Sequence, residues 1–144
     1  MDILNNLSDS YTVISNKKKL CKHDIDMLCL FSTITVPDDY KELMSNSLEI
    51  EISTCNNKYV RIWGAQRCIE MNRAYFIQNW IESSLAIADD GNCNMFIYAN
   101  GNKGAGLYIV GFGDMDRDDM IFISKTLADF LCNDDGLNVF GNIS

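Results

Sequence analysis

The sequence predicts an α+β fold in a single domain: a mainly antiparallel β-sheet packed with N-terminal, central and C-terminal helices. Three observations point there. Apolar residues at helical spacing flank a central stretch of alternating, β-branched segments. The segments in that stretch are joined by short turn sequences, which suit antiparallel neighbours and are too short for crossover helices. The 144 residues, 47% of them apolar, suffice for one core but not two.

Residues 1–19 are Asn-rich and weakly periodic, and Lys17-Lys18-Lys19 follow. They predict a loose N-terminal arm, or one short element tied down by Tyr11, Val13 and Ile14, ahead of a domain over residues 20–144. Ile25, Leu28 and Cys29 form an apolar stripe in a helix from Leu20 to about Leu30, with Asp24 and Asp26 in its first turns. The β-branched run 32–36 ends that helix. Pro37, the single proline, opens the next, where Asp38, Asp39 and Glu42 meet the positive end of the dipole and Tyr40, Leu43 and Met44 face inward.

Leu48, Ile50 and Ile52 alternate with Glu49 and Glu51, the pattern of a half-exposed strand. Asn56-Asn57 turns the chain into a returning strand, Tyr59 to Trp63, stopped by Gly64. Gln66–Asn72 predicts a short helix with Ile69 inward. Tyr75, Phe76, Ile77 and Trp80 follow no single period, and core packing is the expected fate of such aromatics. A meander comes next: strands at 85–88, 95–98 and 107–110, with turns at Asp89–Asn92 and Asn100-Gly101. Met120, Ile123, Leu127, Phe130 and Leu131 predict a last helix from about Arg117 to Leu131, capped by Asp116 and closed by Asn133–Gly136.

Charge narrows the function. Twelve Lys and Arg stand against twenty Asp and Glu, a net of −8. Residues 1–81 carry −1 and residues 82–144 carry −7. Phosphate contact needs cations, so the balance argues against direct nucleic-acid binding and against anionic membrane surfaces. No apolar run is long enough to cross a bilayer, and no basic start precedes an apolar stretch at the N-terminus. An acidic face attracts basic partners and speeds their capture. Six cysteines without a C-x-x-C pair and without an export signal read as reduced thiols of a cytoplasmic protein, with Cys29, Cys68 and Cys132 inside apolar patterns.

Catalytic and cofactor signatures are weak. His23, the sole imidazole, lies in a polar segment, and no G-x-S-x-G elbow is present. Cys21 and His23 lack the second ligand pair that zinc needs. Asp114–Asp119 imitates the first half of a calcium loop, but Asp119 stands where that loop needs glycine and Lys125 where it needs glutamate. The glycine-rich run 101–106 leads into a strand, so no helix N-terminus follows to receive phosphate. The reading is a non-enzyme with no cofactor and no metal.

Several stretches, in order, are similar to one family. Val36-Pro37-Asp38-Asp39-Tyr40-Lys41-Glu42-Leu43 resembles a characteristic helix opening. Ile62-Trp63 resembles a strand that ends in a large aromatic. Glu70-Met71-Asn72 with Tyr75 resembles a short helix ending in asparagine. Leu85 to Gly91 resembles a strand and acidic turn, and Val110 to Asp114 with Asp116, Ile123, Leu127, Phe130 and Leu131 resembles the closing segment. Together they resemble the SUKH superfamily, which includes fungal cell-wall synthesis regulators and many bacterial immunity proteins, over Pro37 to Leu131. Ala88 replaces a usual glycine, Asn92-Cys93 replace others, and Glu82-Ser83-Ser84 stands where a proline is usual.

The resemblance implies a sheet packed with helices and a non-catalytic role: binding and neutralising a cognate toxin, often a nuclease or deaminase, of a polymorphic toxin system. The alternative within the same superfamily is a regulatory protein-interaction scaffold. A nuclease usually offers a basic groove, which an acidic chain can occupy. The expected partner-binding residues are Asp89, Asp90, Asp114, Asp116, Asp118, Asp119, Asp134 and Asp135, with any tyrosine or tryptophan left exposed near them as an anchor. A homodimer through a sheet edge or the aromatic cluster is a further expectation.

Overall fold

The computed structural model describes residues 2–143. One antiparallel sheet of seven strands runs in strict chain order: β1 (Tyr11–Lys18), β2 (Ser47–Thr54), β3 (Tyr59–Trp63), β4 (Leu85–Asp89), β5 (Asn94–Gly101), β6 (Gly104–Gly111) and β7 (Ile121–Ser124). Six α-helices pack with it: α1 (Lys22–Phe31), α2 (Asp38–Met44), α3 (Ala65–Ala74), α4 (Ile77–Trp80), α5 (Leu127–Asn133) and α6 (Leu137–Gly141). The α+β class and the antiparallel sheet expected from the sequence are both present.

Register explains the layers. Ile50 pairs with Ile62, Ile62 with Ala88, Ala88 with Phe96 and Phe96 with Ile109, so one row of side chains crosses five strands on one face. All five are buried. On this face Phe96, Phe130 and Phe140 form an aromatic triangle with centroids 5.1 to 6.0 Å apart, which Tyr11 joins at 5.6 Å from Phe130. The opposite row changes character halfway. Glu51, Arg61 and Asp89 lead to Met95 and Val110, polar on the early strands and apolar on the later ones.

Asp39 ties two helices together. Its carboxylate accepts from the Ala128 N–H at 2.9 Å, in the first turn of α5, while Thr126 caps the same helix through the Asp129 N–H. The sequence expectation placed this acid at the start of its own helix; it also serves another.

The structure corrects several boundaries. Residues 11–18 form an edge strand on β2, and Ile3 and Tyr11 are buried, so of the two forms expected for the N-terminal stretch the tied-down element is present, held by Tyr11 and not by Val13 and Ile14. Its outer residues face solvent, Val13 and Ile14 included, and this hid the alternation. The expected helix from Arg117 is a single 3-10 turn (Arg117–Asp119), then strand β7, then α5. Met120 and Ile123 satisfied a helical period but are buried at and in a strand. A further helix, α6, follows Gly136, whose φ of 79° and close approach to the Ile123 carbonyl leave no room for a side chain. The β5–β6 turn sits at Asn102-Lys103, between the paired Gly101 and Gly104, two residues beyond the expected Asn100-Gly101. In α3 it is Cys68 and Asn72 that are buried, with Ile69 only partly so.

Candidate functional site

Strand direction gathers the loops. Tyr11 pairs with Thr54, Tyr59 with Ser53, Arg61 with Asp89, and Asn94 with Gly111. The start of β1, the β2–β3 turn, the β4–β5 turn and the start of the β6–β7 connection therefore share one end of the sheet. Seven of the eight aspartates singled out by the sequence lie in the loops and turns near this end or in the connection that leaves it. All seven are solvent-facing or lie at its rim.

Asp90 organises the β4–β5 turn. Its carboxylate accepts from the N–H groups of Asn92 and Asn94 and from the Asn94 side chain, while Gly91 supplies φ 72°. Asp114 and Asp119 line a shallow recess of about 410 Å³ with Asn94, Gly111, Ile121 and Ile143. Asp116 caps the 3-10 turn by accepting from the Asp118 N–H at 2.9 Å. Asp134 takes a left-handed conformation at the end of α5 and accepts from the Ser10 hydroxyl, with Asp135 exposed beside it. Asp114, Asp116, Asp118, Asp119, Asp134 and Asp135 form no ion pair among the described residues. Two nearby cations are occupied: Arg117 donates to the Glu82 and Asn100 carbonyls, and Lys58 to the Ile143 carbonyl.

Asp89 is different. It is 5% exposed, and its carboxylate is spent internally. Arg61 engages both oxygens at 3.0 and 3.1 Å, the Trp63 indole donates at 2.7 Å, and the Gly91 N–H donates at 2.8 Å. The charge that the sequence assigned to a partner is thus a link holding β3 to β4. A carboxylate facing inward from the end of a strand looks the same in sequence as one facing outward.

Three aromatics depart from the core packing expected of them. Of fifteen aromatic residues, only Tyr75, Phe76 and Trp80 are exposed, at 41%, 64% and 63%, and they fall within six positions. Ile77 and Ile81 are the buried pins of this segment. Phe76 sits at φ 52°, ψ 42°, a left-handed conformation that is rare for a bulky residue. Two contacts bind this segment and the residues just after it to the β6–β7 connection: the Tyr75 ring packs at a tilt against Phe112, centroids 4.7 Å apart, and Arg117 donates to the Glu82 carbonyl at 2.6 Å. These two contacts join the stretch that carries the exposed rings to the connection that carries four of the unpaired carboxylates. The irregular spacing of residues 75–80, which fits no buried face, was the signal available in the sequence.

For other chemistries the geometry offers little. His23 is exposed on α1. No group of three His, Cys, Asp or Glu side chains among the described residues converges on a metal-sized site. All six cysteines are unpaired; Cys21 and Cys68 are buried, while Cys29, expected in the core, is exposed. An apolar recess of about 390 Å³ between Pro37, Tyr98 and Lys125 lies at the opposite end of the sheet, where the Tyr98 hydroxyl is committed to the Leu127 N–H and Asp39. No helix among the described residues is long and apolar enough to cross a membrane.

Comparison with known proteins places the chain in a family context. The model of the SMI1 / KNR4 family (SUKH-1) matches residues 24–133, from within the first turn of α1 to the end of α5. No curated protein matches the chain.

Proposed function

Because the chain belongs to the SMI1 / KNR4 family (SUKH-1), which includes immunity proteins as well as SMI1/KNR4-like regulators, we propose that it is a non-catalytic cytoplasmic immunity protein that binds and neutralises a basic toxin domain. One observation supports this reading above others: six unpaired aspartates surround one end of the sheet and the connection leaving it, while neighbouring cations are turned to backbone carbonyls. A surface of this kind raises the encounter rate with a cationic partner and penalises acidic ones. Contacts would come from Asp90, Asp114, Asp116, Asp118, Asp119, Asp134 and Asp135. Asp89, buried and bonded to Arg61 and Trp63, makes none of them and serves stability alone.

The test is co-expression with toxin domains encoded in the same gene cluster. The expected result is restored growth with one of them and a 1:1 complex that weakens as salt is raised. Failure to protect against any of them, with several substoichiometric partners recovered instead, replaces immunity with the scaffold reading.

A further inference from the structure

We propose that the exposed segment Tyr75–Trp80, with the carboxylates of the adjoining β6–β7 connection, is a seat for arginine side chains of a basic protein partner. The proposal rests on the toxin-binding reading and sharpens it, from a general attraction between charges to a chemical preference for guanidinium over ammonium.

Three features carry it. First, exposure is selective: the remaining twelve aromatics are buried or partly buried, and the buried core has absorbed Trp63, Tyr40, Tyr108 and three phenylalanines. The rings left outside fall within six positions, and one of them, Phe76, has a backbone conformation that ordinarily disfavours such a residue. A core contact does not compensate that conformation, since the side chain is 64% exposed. Second, the surface beside the rings is negative and unpaired. Phe112, packed at a tilt against Tyr75, is two residues from Asp114, and Arg117 fixes the stretch holding Asp116, Asp118 and Asp119 against Glu82. A neutral or acidic occupant would leave those carboxylates facing it without compensation. A second copy of this chain, at −8, brings more of the same charge. Third, the two parts of the surface divide the work: the carboxylates attract either cation, while the rings favour the guanidinium group, which stacks flat on an aromatic face. Ammonium is a compact, strongly hydrated point charge and gains less from the rings. The chain itself shows the pairing nearby: Arg73 lies over Phe31 at 5.2 Å, two residues before Tyr75.

The experiment measures fluorescence anisotropy of labelled nona-arginine and nona-lysine peptides with the full chain at low and moderate salt. Wild type is expected to bind the arginine peptide about fivefold tighter than the lysine peptide. Phe76→Ala combined with Trp80→Ala brings the ratio to about one and leaves the melting midpoint within a few degrees, because neither side chain is a core residue. Asp114→Asn, Asp118→Asn and Asp119→Asn together weaken both peptides alike and flatten the salt dependence. Equal binding of the two peptides by wild type overturns the proposal, as does a preference that survives loss of both rings. Sedimentation of the chain alone supplies a separate check: a dimer abolished by the ring substitutions would make a second copy the occupant and overturn the arginine seat. Growth protection separates the two readings. Arginine preference without protection against any toxin removes the immunity reading and leaves the seat standing; protection without preference does the reverse.

Discussion

The side-chain amide of Asn72 holds both backbone groups of Ala86: Nδ2 donates to the carbonyl at 2.8 Å, and Oδ1 accepts from the N–H at 3.0 Å. Strand β3 pairs with β4 only through Arg61 and Ile62. Beyond that point β4 would have unpaired edge groups inside the protein. The amide, projected from α3, acts as one residue of a continued β3, and Gln78 braces it by donating to Oδ1 at 3.0 Å. The central helix is thereby attached to the middle of the sheet.

Asn72→Ala leaves a buried N–H without a partner. Such a group costs about 1–3 kcal/mol, and the carbonyl loses a bond too, so a fall in unfolding free energy of roughly 2–4 kcal/mol is expected in urea titration. Asn72→Asp, which keeps the size but sets a carboxylate against the Ala86 carbonyl, is expected to be at least as damaging.

Asp89→Ala and Asp90→Ala separate structure from contact. The first removes the acceptor for Trp63 and one side of a partly exposed ion pair with Arg61. A loss of about 2–3 kcal/mol is expected, since the indole N–H is left buried and unpaired. Asp90→Ala opens the turn at smaller cost, about 1 kcal/mol. Chemical denaturation of both variants, alongside partner affinity corrected for folded fraction, checks the distinction: affinity falls for Asp90→Ala and stays level for Asp89→Ala.

Phe76→Gly removes a whole aromatic side chain, a change that costs about 3–5 kcal/mol in a core. Here the expected outcome is an unchanged or raised melting midpoint, because glycine relieves a left-handed position that costs about 1–2 kcal/mol and little packing is lost. A core-like loss in a thermal scan would contradict the exposed placement.

Burial pushes the Cys68 thiol up from 9.0 to about 12, and burial with a hydrogen bond to Glu51 pushes the Tyr59 phenol up from 10.0 to about 12. Both folded values are raised, so folding favours the protonated forms. Their contribution is complete below about pH 9, shrinks as the unfolded-state groups ionise, and is lost as pH climbs through about 12. Stability measured against pH should therefore slope downward from about 9 toward 12, and Cys68→Ala should make the early part of that slope shallower. Under native conditions at pH 8, Cys29, Cys55 and Cys93 react promptly with a thiol reagent, while Cys68 waits for unfolding.

Much of the fold was legible in local patterns. Alternation in residues 48–52 and 59–63, the proline-acid opening at 37–39 and the meander from 85 to 110 all state their geometry within a few residues, because side-chain period follows backbone conformation. Near the C-terminal end that link failed. Met120, Ile123 and Leu127 satisfy a helical spacing by coincidence, and the pairing of β7 with β6 overrides it by supplying buried backbone partners that no local window contains.

The acidic charge, concentrated in the second half of the chain, and the family resemblance were determined by residue identity alone, since neither depends on where the chain turns. Direction was decided only by tertiary structure. Asp89 points into a Trp–Arg pocket and its neighbour Asp90 caps a turn; Phe96 lies in the core and Phe76 in solvent. Composition sets what a residue can offer, but which face of the sheet it occupies depends on strand register and on how much interior has already been filled.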